Sequence, residues 1–189
     1  TLENIEDGNP VAVYKTGSNW GGFIAITLNN LRVGALSYFF GIFLGIGTFY
    51  ILLNNCIMLG SFQYFFYQRG VFWESVRGIW IHGSMEIFAM IIEAGAGFIL
   101  GASILFPQTF SRLNSFKIGF QNSFKIFLST MPFTFAAGFL EGYITRYSME
   151  MPTYLSVGII LITLSIISFY YLIYPFIVHK KAKKYVSTI

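Results

Sequence analysis

Across its 189 residues the chain has one cysteine, Cys56, one aspartate, Asp7, and two histidines, His82 and His179. A single cysteine excludes an intrachain disulfide and cannot alone build a cysteine metal site. Cys56 therefore reads as a small packing residue. Charge is also scarce. Only 11 % of the residues are charged, against about a quarter in soluble domains. There is no phosphate-binding loop, no G-x-S-x-G elbow and no Ser/His/Asp set. With so few histidines, most hydrolytic mechanisms lack a base. The carboxylates leave intramembrane proteolysis formally open, but no Asp follows Asp7 to complete a catalytic pair.

What fills the chain instead is apolar. Hydrophobic residues make up 55 % and aromatics 20 %, with a mean hydropathy of +0.64. This composition fits a polytopic membrane protein, an all-α transmembrane helical bundle. The formal charge of +4 is not a nucleic-acid footprint. Four of the twelve basic residues form Lys180-Lys181-Ala182-Lys183-Lys184, directly after the last apolar run, where a positive-inside anchor belongs. The start is acidic and polar (Glu3, Glu6, Asp7), unlike a signal peptide. Beginning at Thr1 without methionine, the chain is expected to be part of a longer protein.

Residues 1–19 read as a polar extramembrane segment with turns at Asp7-Gly8-Asn9-Pro10 and near Gly17-Ser18-Asn19. Residues 20–178 form the transmembrane domain, and 179–189 a basic tail. Trp20 to Arg32 reads as a short interfacial amphipathic helix with Trp20 at headgroup depth. Four spans follow: Val33 to Leu53, Ile79 to Phe106, Ile118 to Leu140 and Tyr154 to Val178. Asn54-Asn55 is expected to interrupt the first span. Cys56 to Tyr67, too short to cross as a helix by itself, is then re-entrant, interfacial or an extension of that span. Pro132 should kink the third span. Placing the lysine-rich tail inside puts Arg112 and Lys117 inside, and Arg69, Arg77 and Arg146 outside.

Within the second span, His82, Glu86 and Glu93 interrupt an apolar run at spacings of four and seven residues. At about 100° per residue they fall within roughly 40° of one another around a helix. Ionisable groups are costly in lipid, so this stripe must face protein, water or an ion. It makes a candidate intramembrane polar site with Lys125 and Glu141. Lys125 is either the partner of Glu93 or snorkels to the inner interface, and Glu141 closes the third span near the outer surface. Unless paired, Glu93 is expected to be uncharged in a buried network that fixes helix register. His82 and Glu86, at i and i+4, could hold a metal between turns, but a zinc site needs a further ligand. Glu93 lies about 10 Å further along the helix. The intact zincin pattern, with a second histidine on the same helix, is absent, since His179 sits at the far end of another span. No metal and no cofactor are expected on this reading.

Small residues recur at four-residue spacing: Gly41 and Gly45, Gly97 and Gly101, Gly138 and Gly142. Such pairs let helices approach closely, either within the chain or between copies in a homo-oligomer.

The chain resembles the stage II sporulation protein M family from about Asn29 to Gly142. The resemblance rests on the order of several motifs: Asn29-Asn30-x-Arg32, Gly41-x-x-x-Gly45-x-Gly47, Asn54-Asn55 with Leu59-Gly60, and His82-Gly83-x-x-Glu86. Ala94-Gly95-Ala96-Gly97, Pro107-x-x-x-x-Arg112 and Ala137-Gly138-x-x-Glu141-Gly142 complete it. Cys56 and Glu93 depart from the family pattern, standing where a glycine and a small residue are usual. The resemblance implies a polytopic protein of the prokaryotic cytoplasmic (inner) membrane with no enzyme activity of its own. In spore formers the family member works with a peptidoglycan hydrolase and another membrane protein during engulfment; the family also occurs in prokaryotes that make no spores. The expected role is a non-enzymatic scaffold or partner subunit, in contact with the lipid bilayer and other membrane proteins and linked to envelope remodelling. The rival is a transporter or channel component with a proton or ion path along His82, Glu86 and Glu93.

Overall fold

The computed structural model describes residues 18–186, so the expected turn at Asp7-Gly8-Asn9-Pro10 and the acidic start of the polar segment lie outside the described residues. Six α-helices follow in order: α1 Asn19–Phe39, α2 Ile46–Gln68, α3 Phe72–Leu105, α4 Arg112–Phe139, α5 Thr153–Ser168 and α6 Tyr174–Val186. The described residues contain no strand. A π-helical turn, Phe169–Ile173, joins α5 to α6. Another, Leu140–Ile144, prolongs α4 and passes into a 3₁₀ turn, Thr145–Tyr147. Five of the resulting rods are long and apolar enough to cross a membrane: Asn19–Ile42, Ile46–Gln68, Phe72–Leu105, Arg112–Tyr147 and Thr153–Lys183.

Four boundaries differ from the sequence reading, each for a local reason. Trp20 to Arg32 is not a separate interfacial helix; the helix continues from Asn19 through Phe39, because nothing between Arg32 and Phe40 breaks it. Ser18 starts it by accepting a hydrogen bond from the Gly21 N–H at 3.1 Å. The chain reverses inside the expected first span, at residues 43–45, where Leu44 (φ 58°) and Gly45 (φ 82°) take left-handed conformations. Gly45 does this at little steric cost, whereas Leu44 stores about 1–2 kcal/mol of strain. Asn54 and Asn55 do not interrupt the helix. Their side-chain amides donate to the carbonyls of Tyr50 and Ile51, both at 2.8 Å, so their polar groups are satisfied within α2. Cys56 to Tyr67 is thus the second half of a full-length helix. The polar stretch after Glu141 is wound as well, up to Tyr147. Pro132 lies inside α4 without ending it.

α3 is the axis of the bundle. At 34 residues it is about 50 Å long, more than the roughly 30 Å of hydrocarbon. α1, α2, α4 and α5 all pack on it. α4 runs antiparallel, with the Thr145 hydroxyl at His82, the Thr130 hydroxyl at Glu93 and the Ser115 hydroxyl on the Ser103 carbonyl. Hydroxyl bonds add further ties: Ser84 to Thr163 across α3 and α5 at 2.8 Å, and Tyr38 to Ser123 across α1 and α4 at 3.1 Å. Tyr38 also stacks on Phe127, ring centroids 4.8 Å apart, in an apolar cluster with Ala96 and Leu100.

Candidate functional site

A knot of glycines fixes the depth at which α1 and α2 meet α3. A Cβ on Gly41 would strike the Gly97 carbonyl, and one on Gly97 would strike the Thr48 hydroxyl and the Ser37 carbonyl. Gly101 lies against the Gly45 N–H and the Gly41 carbonyl; a Cβ there would stand 2.9 Å from that oxygen. Thr48 donates to the Ser37 carbonyl at 2.7 Å and closes the gap. On the other side, Gly138 and Gly142 bring α4 and its π turn against Thr27 and Phe23 of α1. The three glycine pairs therefore meet partners within this one chain.

Above the knot lie the ionisable groups of the stripe. Glu93 is 3 % exposed, and its Oε1 accepts from the Thr130 hydroxyl at 2.8 Å, with Thr134 beside the same carboxylate. Across from it stands Gly34, where any Cβ would collide with the Glu93 carboxylate. The pocket for Glu93 is thus made by a missing side chain on α1 and two hydroxyls on α4. Lys125 is not brought to Glu93. It stands exposed on α4, five residues from Thr130, a displacement of about 7.5 Å along the helix.

Two and three turns nearer the start of α3, Glu86 and His82 meet a third group. The His82 ring is 5 % exposed, with its Nδ1 2.9 Å from the Thr145 hydroxyl. Its Nε2 lies 3.8 Å from Glu141 Oε2. Asn30 of α1 stands against Glu86. One ligand atom from each of His82, Glu86 and Glu141 falls within 4.8 Å of the others. The π turn supplies Glu141. Fitting an extra residue into the turn rotates its side chain relative to a regular helix, a device common at functional sites. The further ligand type that is missing along α3 is thus present in the π turn after α4.

A cavity of about 360 Å³ opens onto this face between α1, α2 and α3. Glu86, Glu93, Asn30, Asn55 and Thr134 line its polar part. It extends no deeper than Glu93 and Gly34, above the glycine knot. Chemically the arrangement can hold a cation or a proton among oxygen and imidazole ligands.

Sequence reasoning passed over Thr130, Thr134 and Thr145. The signal was there for the first two, hydroxyls four residues apart on one face of an apolar helix.

A family model described as stage II sporulation protein M matches residues 2–146, which take in the whole glycine knot, the stripe and Glu141. No curated protein and no solved structure matches the chain.

Proposed function

The chain belongs to the stage II sporulation protein M family, and from that premise we propose that it is a non-enzymatic membrane subunit that holds partner proteins together in a complex acting on the cell envelope. The observation that carries this reading is the close backbone packing of α1, α2 and α3 at the glycine knot. The cavity that reaches Glu86 and Glu93 is lined by Gly34 and Thr134 but by none of the glycines of the knot, where a Cβ on Gly41 would strike the Gly97 backbone. His82 and Glu93 are each held by a threonine hydroxyl, as expected of a network that sets helix register. Large apolar side chains stand exposed along α2, α5 and α6, available to lipid and to other membrane proteins.

The same reading puts the protein in the prokaryotic cytoplasmic membrane with the lysine-rich tail on the cytoplasmic side. Topology groups the tail with Arg112 and the α1–α2 turn at one end, and Arg69, Arg77 and Arg146 at the other. A membrane-impermeant amine reagent should therefore spare the tail lysines in intact cells and modify them after lysis. Labelling in intact cells would invert the assignment.

The test of the function is purification of the tagged, full-length protein from its native membranes in mild detergent, with identification of what elutes beside it. Membrane and envelope partners in fixed proportion are expected. The rival transport reading has one observation in its favour, that the cavity reaches two carboxylates. Proton or ion flux in proteoliposomes that disappears in Glu93→Gln, with no partner recovered from membranes, would replace the subunit reading by transport.

A further inference from the structure

We propose that His82, Glu86 and Glu141 form a binding site for one divalent first-row transition cation, with zinc the preferred occupant, which ties the π turn after α4 to the outer half of α3. The inference is independent of which partner proteins the bundle holds. Four observations converge on it.

The donor set is right in kind and number. One imidazole nitrogen and two carboxylate oxygens are ligands that zinc takes in three-ligand sites, leaving a fourth position for water. A single imidazole among carboxylates also suits manganese, whereas the absence of thiolate removes any preference for soft ions. The geometry is within reach. Ligands at about 2.1 Å around a tetrahedral ion stand about 3.4 Å apart. His82 Nε2 and Glu141 Oε2 are already at 3.8 Å, and the whole set spans no more than 4.8 Å. Small side-chain rotations of the two glutamates close the remainder.

The outer contacts are of the kind that metal ligands need. The Thr145 hydroxyl at Nδ1 holds the ring so that Nε2 points at Glu141. Such partners fix ring orientation and ligand basicity. Finally, there is a way in. Glu86 lines the cavity of about 360 Å³, which brings open space to one member of the cluster. Two ionised carboxylates held this close repel each other, a cost relieved by a proton on one of them or by positive charge between them. A divalent ion supplies that charge from within the cluster.

The test uses the full-length protein in detergent, stripped with a chelator and dialysed against zinc chloride. About one equivalent of zinc should be retained, and its X-ray absorption spectrum should show only nitrogen and oxygen neighbours, including one imidazole, at about 2.0–2.1 Å. His82→Gln and Glu141→Gln keep side-chain size and some hydrogen bonding. Each should weaken zinc binding at least about 100-fold, because losing a ligand exceeds the 10–100-fold cost of losing an outer partner. Thr145→Val removes an outer partner, and its cost should be about 10-fold. His179→Gln should change nothing. Sulfur in the coordination shell, less than stoichiometric zinc in the wild-type chain, or unchanged affinity in Glu141→Gln would each overturn the proposal. The first two need no variant, so a failure of the substituted chains to fold does not shelter it.

Discussion

α2 and α3 are adjacent spans of the same bundle, and they are built on opposite principles. α3 buries 14 residues, and all but Ile81, Met85 and Leu100 are small or polar. α2 buries only Thr48 and Phe66, while Ile46, Phe49, Tyr50, Ile57 and Phe62 face outward. In water the greasy helix would be the buried one. In a bilayer, lipid solvates Phe and Ile as well as protein does, so association comes from close backbone approach and from polar groups that lipid cannot satisfy. α3 offers both, in Gly97 and Gly101 and in His82, Glu86 and Glu93. α2 meets α3 where it offers Thr48 to Gly97 and Asn55 to the cavity.

The comparison can be broken most severely with one substitution on each helix. Gly97→Leu puts a side chain into the Thr48 hydroxyl and the Ser37 carbonyl, so α1, α2 and α3 must part. A loss of about 3 kcal/mol, the top of the usual overpacking range, or outright failure to fold is expected. Gly60→Leu, on α2 with nothing within 4 Å of its Cβ, should stay within about 0.5 kcal/mol of wild type. Thermal midpoints in one detergent compare them directly. Equal midpoints would mean that the glycines of α3 do not set the packing.

A smaller effect separates the two roles open to Glu93. Glu93→Gln keeps an acceptor for the Thr130 hydroxyl and should cost less than about 1 kcal/mol. Glu93→Ala removes that acceptor and empties the space opposite Gly34, at an expected cost of about 1–3 kcal/mol. Lys125→Ala, on the exposed face of α4, should change stability by no more than about 0.5 kcal/mol. A large loss in Lys125→Ala would restore the ion pair with Glu93 that the folded chain does not make.

The class of fold was legible because composition alone leaves no soluble alternative, and the apolar runs of α3, α4 and α5 are long. The stripe was legible because helical arithmetic needs only one helix. Two things were hidden for physical reasons. The reversal at Leu44 and Gly45 lies within an apolar run, where the Gly41-Gly45-Gly47 series carries both a packing face and a turn. Asn54 and Asn55 looked like the stronger breakers, yet each amide folds back on the carbonyl four residues earlier. The cluster around Glu141 depends on the relative register of α3 and α4. Pairing Glu93 with Lys125 slips that register by more than a turn; pairing it with Thr130 brings the residues after Gly138 toward Glu86 and His82. Of the two roles the sequence leaves open for Lys125, its exposed position fits the one away from Glu93; a threonine hydroxyl satisfies a buried carboxylate at lower desolvation cost than an ammonium group.

The smallest expected effect tests the polar half of the comparison by itself. Ser84 of α3 and Thr163 of α5 share a hydrogen bond of 2.8 Å, and both side chains are buried. Thr163 also donates to the carbonyls of Ile159 and Ile160 within its own helix, so its hydroxyl is satisfied with or without Ser84. The coupling should therefore sit near the average of about 0.6 kcal/mol found for hydroxyl bonds between membrane helices, below what the bond length suggests. A double-mutant cycle of Ser84→Ala and Thr163→Val, read from unfolding in detergent micelles, isolates it. A coupling near zero would leave the glycines and the His82–Glu141 cluster to hold α3 in place, and would reduce the role of hydroxyls to filling space. A coupling well above about 1 kcal/mol would make α5 a partner of α3 as firm as α4, although its other contacts are mostly apolar.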